Sequence, residues 1–219
     1  MGTKAEIIEN LWAIIDKLRG ENGCPWDRKQ TPESVKTYIV EEAHEAYAAI
    51  RSGSTEEVME ELGDLLFMVL FMVHLYEESG IFRLEDVGAR VEEKMIRRHP
   101  HVFGDLRVNS AEDVKDNWEK IKREEKRGNE TKIPKTLPAL VRAYRMLSRK
   151  AIHPEVAELE YEVSDSVGKK LEKIFHAPKE DFPQCFADLV IDLCQLARLR
   201  GFRPEDLLQK RLDERENSP

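Results

Sequence analysis

Apolar residues recur at spacings of three and four along most of the chain, and no stretch alternates convincingly between apolar and polar positions. This spacing is typical of amphipathic α-helices, whereas alternation would indicate strands. The first such segment extends from Lys4 to Arg19, and Gly23 and Pro25 follow it. The pattern therefore predicts an all-α protein whose first helix ends before these two residues.

Capping residues predict a second and a third helix. Thr31 is a suitable N-cap and Pro32 a suitable first residue for a second helix that extends to about Ile50. Ser54, followed three residues later by Glu57, predicts a capping box for a long third helix. Because the turn between them is short, these two helices should be antiparallel neighbours.

A polar segment with Gly and Pro, RGNETKIPKT, is typical of a boundary between domains. We therefore predict a first domain over 1–128, a linker over 129–137 and a second helical domain over 138–219. The third helix is expected to end near residue 80, and later helices are expected at 84–98, 110–126, 138–152, 155–176, 181–200 and 204–215.

Composition narrows the functional classes. Of the 219 residues, 41% are hydrophobic, 36% charged and 7% aromatic, which favours a soluble helical protein over a disordered one. The formal net charge of -8 removes the usual electrostatic driving force for binding nucleic acid or anionic membranes. Cys24, Cys185 and Cys194 contain no CxxC pair, so we expect no disulfide framework and no zinc site. A reducing cytoplasm fits best, since the N-terminus lacks the apolar core of a signal peptide.

Two pairs of acidic residues lie on the second and third predicted helices. Glu42 and Glu45 are one turn apart on the second, and Glu61 and Asp64 on the third. Each pair falls on a stripe of mostly apolar residues, so we expect the four carboxylates to face the bundle interior. Carboxylates that converge in a partly dry site repel one another unless they are protonated or bind cations.

A hard divalent cation is the natural partner for such a cluster. All-oxygen ligands favour Mg²⁺, with Mn²⁺ as a substitute, over Zn²⁺. Mg²⁺ usually retains positions for water and substrate phosphate. The neighbouring acids Glu56, Glu57 and Glu60 are better explained as a solvated face.

A basic segment follows the acidic one. Residues 33–64 carry nine acids against two bases, a local charge of -7, and residues 94–127 carry ten bases against seven acids, a local charge of +3. An acidic wall and a basic segment together would suit a metal–polyphosphate complex, such as that of a nucleoside triphosphate. Lys94, Arg98 and Lys122 are candidates for holding phosphate, and Trp118 for stacking on a base. The alternative is that Trp118 is a core anchor and the cations are solvated.

Together these segments resemble a known family, the MazG nucleoside triphosphate pyrophosphohydrolases. The resemblance covers about residues 5–128 and rests, in chain order, on CPWD (24–27), QT (30–31), EEAHE (41–45), ELGDLLF (61–67), RRHPHVFGD (97–105) and NWEKIKREE (117–125). It implies a four-helix-bundle core, usually in a dimer, and Mg²⁺-dependent cleavage of nucleoside triphosphates to the monophosphate and pyrophosphate. By position, it implies four metal ligands and four nucleotide contacts: Glu42, Glu45, Glu61 and Asp64, and Lys94, Arg98, Trp118 and Lys122.

The second half partly repeats the first. If Asp188 corresponds to Asp64, then Ser166, Lys169 and Cys185 take the positions of the other three ligands. Members of the family can contain two tandem domains, so this half is either a degenerate repeat that cannot assemble the metal site or an unrelated helical unit. Whether a second chain or the C-terminal half completes the bundle stays open.

Three other features of the sequence give weaker indications of function. Glu41-x-x-His44 matches half of a di-iron motif, but the sequence has no second such element on another helix. Cys24 has no nearby base in the sequence that would activate it as a nucleophile. His99 and His101 are as well suited to a structural cap as to phosphate contact.

The sequence thus predicts an enzyme in which Mg²⁺, held by the four carboxylates, activates water for in-line attack at the α-phosphorus. Glu41 is a candidate for orienting that water. The resemblance implies a homodimer that clears non-canonical nucleotides, with control of a signalling nucleotide pool as the alternative, and we expect it in the cytoplasm. The competing hypothesis is a non-catalytic nucleotide-binding or regulatory module.

Overall fold

The computed structural model describes residues 2–125, 133–149 and 156–216. Within them all regular structure is helical, which confirms the predicted fold class. A 3-10 helix, Asp27–Lys29, lies between the first two α-helices. The α-helices of the described residues are α1 (Lys4–Arg19), α2 (Pro32–Ser52), α3 (Thr55–Glu78), α4 (Leu84–Arg98), α5 (Pro100–Phe103), α6 (Ala111–Glu124), α7 (Ala139–Leu147), α8 (Val156–His176), α9 (Phe182–Leu199) and α10 (Pro204–Glu216).

The predicted helix bounds agree with these to within two residues, except that α7 ends at Leu147, because Ser148 forms its C-cap, and does not continue through residue 149 as predicted. The 3-10 helix and α5 were not predicted, because elements of three or four residues are too short to show a period. Pro100, expected only to end α4, also begins α5, since its fixed φ suits a first helical turn. Residues 126, 150–152 and 155, predicted as helix ends, lie outside the described residues. None of the described helices is long and apolar enough to cross a membrane.

The chain divides into two compact units, Met1–Glu125 and Lys126–Pro219. In the first unit α2 packs along α3, as the short turn predicts, while α1 and α4 contact α3. In the second unit α8 packs along α9, and α7 and α10 contact α9. Each unit is thus organised around one long helical hairpin.

The turn between α2 and α3 sets the register of the first hairpin. Gly53 ends α2 with a φ of 81°, a left-handed conformation that favours glycine. Ser54 caps α3, since its side chain accepts a hydrogen bond from the Glu57 backbone. The reciprocal half of the predicted capping box is absent, because the Glu57 carboxylate instead accepts a hydrogen bond of 2.8 Å from the Ser52 hydroxyl.

The core of the first unit joins α1, α2 and α3. Its buried residues are Ile15, Val35, Leu70, Phe71 and Leu75. Polar contacts flank this core on the α1 side, where His74 Nε2 lies 2.7 Å from Asp16 Oδ1. Arg19 donates two hydrogen bonds to the carboxylate of Glu78, at 2.9 and 2.6 Å, and these lower the pKa of Glu78. The core therefore occupies one face of the hairpin and leaves the opposite face open.

Candidate metal and nucleotide site

Three of the predicted ligands meet where α2 faces α3. One carboxylate oxygen from each of Glu42, Glu45 and Glu61 lies within 4.8 Å of the others. Ala46 and Ala49, both buried, present small side chains on the same helix, which allows α2 and α3 to approach closely. Within residues 2–125, 133–149 and 156–216, no other group of His, Cys, Asp or Glu side chains converges in this way.

Electrostatic repulsion in this cluster is visible in two pKa values. Partial burial, followed by the charges of Glu45 and Asp64, raises the pKa of Glu42. Partial burial and the charges of Glu45, Glu60 and Asp64 likewise raise the pKa of Glu61. Negative charge is therefore costly here, and a bound cation would remove that cost.

The cluster is less enclosed than the sequence predicted. Within the single chain Glu42 and Glu61 are half-buried, whereas Glu45 and Asp64 are exposed. Asp64 lies outside the 4.8 Å group, yet its charge raises the pKa values of Glu42 and Glu61, so it borders the cluster.

Two further acids stand beside the cluster. Glu41 and Glu60 are exposed, as expected for residues next to the ligand positions on each helix. The charge of Glu41 contributes to the raised pKa of Glu42. Glu41 is therefore near the cluster and accessible to water.

Arg98, one of the predicted phosphate contacts, already has an anionic partner. Its Nη2 donates to Glu125 at 2.6 Å, and its Nε lies 3.2 Å from the same carboxylate oxygen. Arg97 donates to the other oxygen of Glu125 at 2.8 Å. The hydrogen bonds from Arg98 and Arg97 lower the pKa of Glu125 to about 2. This cluster ties α4 to the residue that follows α6.

Trp118 has partners on its ring as well. The guanidinium of Arg98 lies over it, 5.6 Å from the centroid, and the His99 ring meets it at 4.6 Å and an interplanar angle of 73°. His99 is itself held by a contact of 2.6 Å between its Nδ1 and the Met95 carbonyl. These are the contacts of an anchor between α4 and α6, and base stacking by Trp118 stays a prediction.

The two predicted lysines differ in their surroundings. Lys122 is paired with Glu119 at 2.7 Å, one turn earlier on α6. Lys94 is half-buried and forms no ion pair with any residue that the structure describes. Of the three predicted cationic contacts, Lys94 is therefore the one whose charge is available to a ligand without loss of a protein partner.

Sequence reasoning assigned no role to two residues that the structure places near these groups. Glu125 is the counter-ion of two arginines, and the adjacent pair Arg97–Arg98 was the only signal of such a partner. Trp26 lies in the α1–α2 loop beside Tyr38, which precedes Glu42 by one helical turn. Its signal was a tryptophan in a loop, where a large apolar residue is unusual.

The hairpin of the second unit has no comparable acidic cluster among its described residues. Ser166 and Lys170 both donate to the Asp192 carboxylate, at 2.6 and 2.7 Å. Lys169 pairs with Asp165 at 2.6 Å, and Cys185 is buried. Two acids of this hairpin, Asp165 and Asp192, are thus paired with lysines of the same hairpin.

The chain is similar to known proteins over most of its length. Residues 30–103, which include the carboxylate cluster, match the model of the MazG nucleotide pyrophosphohydrolase domain. The chain is 36% identical over 209 residues to the nucleoside triphosphate pyrophosphohydrolase/pyrophosphatase MazG of Thermotoga maritima. This alignment covers 93% of this chain and 80% of the Thermotoga protein. It is 34% identical over 224 residues to the nucleoside triphosphate pyrophosphohydrolase of Escherichia coli, with coverage of 93% and 82%.

A shorter match reaches higher identity. Over 138 residues the chain is 48% identical to the Bacillus subtilis protein YabN. This alignment covers 61% of this chain but only 28% of YabN. This chain therefore spans less than a third of that relative.

The described residues form an all-helical fold in which the α2–α3 hairpin carries the carboxylate cluster. Together with the domain match, this defines a hydrolase of the nucleotide pyrophosphohydrolase class. More narrowly, the chain belongs to the MazG family. The family, the fold class and the enzyme class predicted from the sequence are confirmed.

Proposed function

We propose that this protein hydrolyses nucleoside triphosphates to the monophosphate and pyrophosphate, with Mg²⁺ held by Glu42, Glu45, Glu61 and Asp64. The convergence of three carboxylates within 4.8 Å carries this proposal. The donor set fits the ion, because it is made of oxygen alone and its repulsion needs a positive charge. The names of the Thermotoga and Escherichia relatives support the substrate class.

The reaction forms a bond between a water oxygen and the α-phosphorus and breaks the bond between that phosphorus and the bridging oxygen to the β-phosphate. When bound, Mg²⁺ would neutralise phosphate charge and act as a Lewis acid. Glu41 accepts a hydrogen bond from the attacking water and orients it. Lys94 contacts the departing pyrophosphate, since its ammonium group has no described partner to give up.

We further propose that the protein acts as a homodimer in which two α2–α3 hairpins complete a four-helix bundle. The open face of this hairpin carries large exposed apolar side chains, which a soluble monomer would not normally group together. They include Val40, Ile50, Met59, Leu62 and Val69, which are exposed by 55%, 59%, 73%, 48% and 42%.

The second unit is, in this proposal, a repeat that has lost its metal site. Its hairpin has a helix on either side in the chain, as in the first unit, and in both units the two flanking helices contact the second helix of the hairpin. Gly80 and Gly201 both adopt left-handed conformations after the second helix of each hairpin, with φ of 66° and 82°. Its Asp165 and Asp192 are paired with lysines, so it would serve packing or assembly. Clearance of non-canonical nucleotides in the cytoplasm remains our proposal for the physiological role.

The decisive experiment is product identification. The protein is incubated with each NTP and dNTP and Mg²⁺, and pyrophosphate and orthophosphate are measured separately. We expect pyrophosphate and nucleoside monophosphate in equal amounts, and we expect Glu42→Gln to abolish both. Glu56→Gln, an exposed acid on the first turn of α3, is the matched control and should retain activity. Nucleotide binding without any monophosphate would instead indicate a regulatory module.

A further inference from the structure

The loop between α1 and α2 is held in one conformation by hydrogen bonds. The Cys24 backbone donates to the Leu18 carbonyl at 2.7 Å, and a side chain at Gly23 would collide with that carbonyl. Gln30 Nε2 donates to the Trp26 carbonyl at 3.0 Å. Arg19, already bound to Glu78, also donates to the backbone carbonyl of Asp27. The loop is therefore held in place by these hydrogen bonds and is not a flexible connection.

The loop between α1 and α2 holds Trp26 in a position where its side chain is exposed to solvent. Trp26 is 54% exposed, although tryptophan is usually among the more buried residues. Its only described ring contact is with Tyr38, at 6.1 Å and an interplanar angle of 56°. Tyr38 itself packs against the core of the first unit, so it supports Trp26 from the protein side.

Trp26 contacts Tyr38, which lies one helical turn before Glu42 of the carboxylate cluster. Tyr38 and Glu42 are four residues apart on α2, which places them on the same face and separates them by about 6 Å along the helix axis. A triphosphate held at the cluster by its charged end would therefore carry its sugar and base toward one of the neighbouring surfaces. Near the N-terminal end of α2, the exposed ring of Trp26 offers one such surface.

The other two tryptophans are already engaged. Trp12 meets the buried His74 with ring centroids 5.2 Å apart. Trp118 lies between Arg98 and His99, as described above. A base that stacked on Trp118 would have to displace Arg98 and so separate it from Glu125. Stacking on Trp26 displaces no described protein contact.

We propose that Trp26 is the aromatic surface on which the base of the nucleoside triphosphate stacks. This inference rests on the proposed function and adds the base site to it. Stacking on an indole accepts any base, so Trp26 would distinguish nucleotides from base-free polyphosphates rather than one base from another.

The test measures equilibrium binding of a non-hydrolysable nucleoside triphosphate analogue, in the presence of Mg²⁺, to the full chain and to Trp26→Leu. Base–aromatic stacking of about 1–3 kcal/mol corresponds to a rise in Kd of about 5- to 150-fold. Inorganic tripolyphosphate, which has no base, is measured as the comparison ligand, and its Kd should be unchanged in Trp26→Leu. Trp26→Phe keeps an aromatic ring and should recover most of the affinity for the nucleotide.

Phe175→Leu is the matched control, since Phe175 is a 78% exposed aromatic residue on α8 in the second unit. It should leave both Kd values unchanged. Equal nucleotide affinity in Trp26→Leu and the unmodified protein would overturn the inference, as would a parallel loss for tripolyphosphate. Because binding is measured without turnover, failure of the base site is distinguishable from failure of the proposed reaction, which is judged by pyrophosphate release.

Discussion

Arg98 and Glu125 form a two-point ion pair that links the end of α4 to the residue after α6, with the shortest contact at 2.6 Å. The carboxylate has the same charge and a similar oxygen spacing to the phosphate that Arg98 is predicted to bind. Phosphate binding by Arg98 would therefore require Glu125 to be exchanged or extended. In the absence of ligand, the pair contributes to the packing of α6 on α4.

Replacement of this carboxylate should destabilise the first unit. We expect Glu125→Gln to lower the free energy of unfolding by about 1 kcal/mol at pH 7, because two arginines lose a charged acceptor. Chemical denaturation followed by circular dichroism measures this. Glu124→Gln, which changes the exposed neighbouring acid, should have no measurable effect.

The same ion pair predicts a pH dependence. Folding lowers the pKa of Glu125 from 4.5 to about 2, so its contribution is complete above the unfolded value and is lost as the pH falls from about 4.5 through about 2. The stability difference between the unmodified protein and Glu125→Gln should therefore shrink over this window. A difference that stayed constant down to pH 2 would contradict the assigned interaction.

Mg²⁺ should stabilise the protein through the carboxylate cluster. At a concentration of 100 times Kd, one bound ion adds about 2.7 kcal/mol to the free energy of unfolding. Thermal unfolding with and without Mg²⁺ should show a rise in Tm for the unmodified protein. Glu42→Gln should raise the Tm of the metal-free protein, because it removes one repelling charge, and should lose the response to Mg²⁺. Equal Mg²⁺ responses in the two proteins would exclude this site.

Asp64 offers a test of whether the exposed members of the cluster matter. Asp64→Asn should reduce pyrophosphate release at least about tenfold, the effect of ~1.4 kcal/mol at the transition state. Glu60→Gln changes another exposed acid of the same helix and should reduce it less than threefold. Activity assays at saturating Mg²⁺ make the comparison.

The proposed dimer depends on the open face of the α2–α3 hairpin. Met59→Glu places a charge on this face and should shift the protein from dimer to monomer in sedimentation or light-scattering measurements. Ile81→Glu alters a side chain of similar exposure, 65% against 73%, in the turn after α3 and should leave the dimer intact. A monomeric unmodified protein would refute the assembly.

Core packing can be tested at two adjacent positions. Ile15 is fully buried, so Ile15→Ala should cost about 2–5 kcal/mol of stability. Ile14 is 49% exposed, and Ile14→Ala should cost less than about 1 kcal/mol. Equal losses would mean that α1 is rotated relative to the core described above.

Much of the architecture is readable from local signals. The Thr31–Pro32 cap and the period of apolar residues were sufficient for α2, and the short turn at Gly53 was sufficient for its pairing with α3. The pairing in turn brings Glu42, Glu45 and Glu61 together. These features depend on backbone dihedrals and on residues a few positions apart, which a sequence displays directly.

Contacts between distant segments are different. The exposure of Asp64, the pairing of Arg98 with Glu125 and the position of Trp26 beside Tyr38 each depend on which helix faces are covered by others. A charged stripe looks the same in sequence whether it binds phosphate or a carboxylate 27 residues away. Helices and acidic ligand positions are therefore encoded locally, whereas the choice between partner and ligand follows from three-dimensional packing.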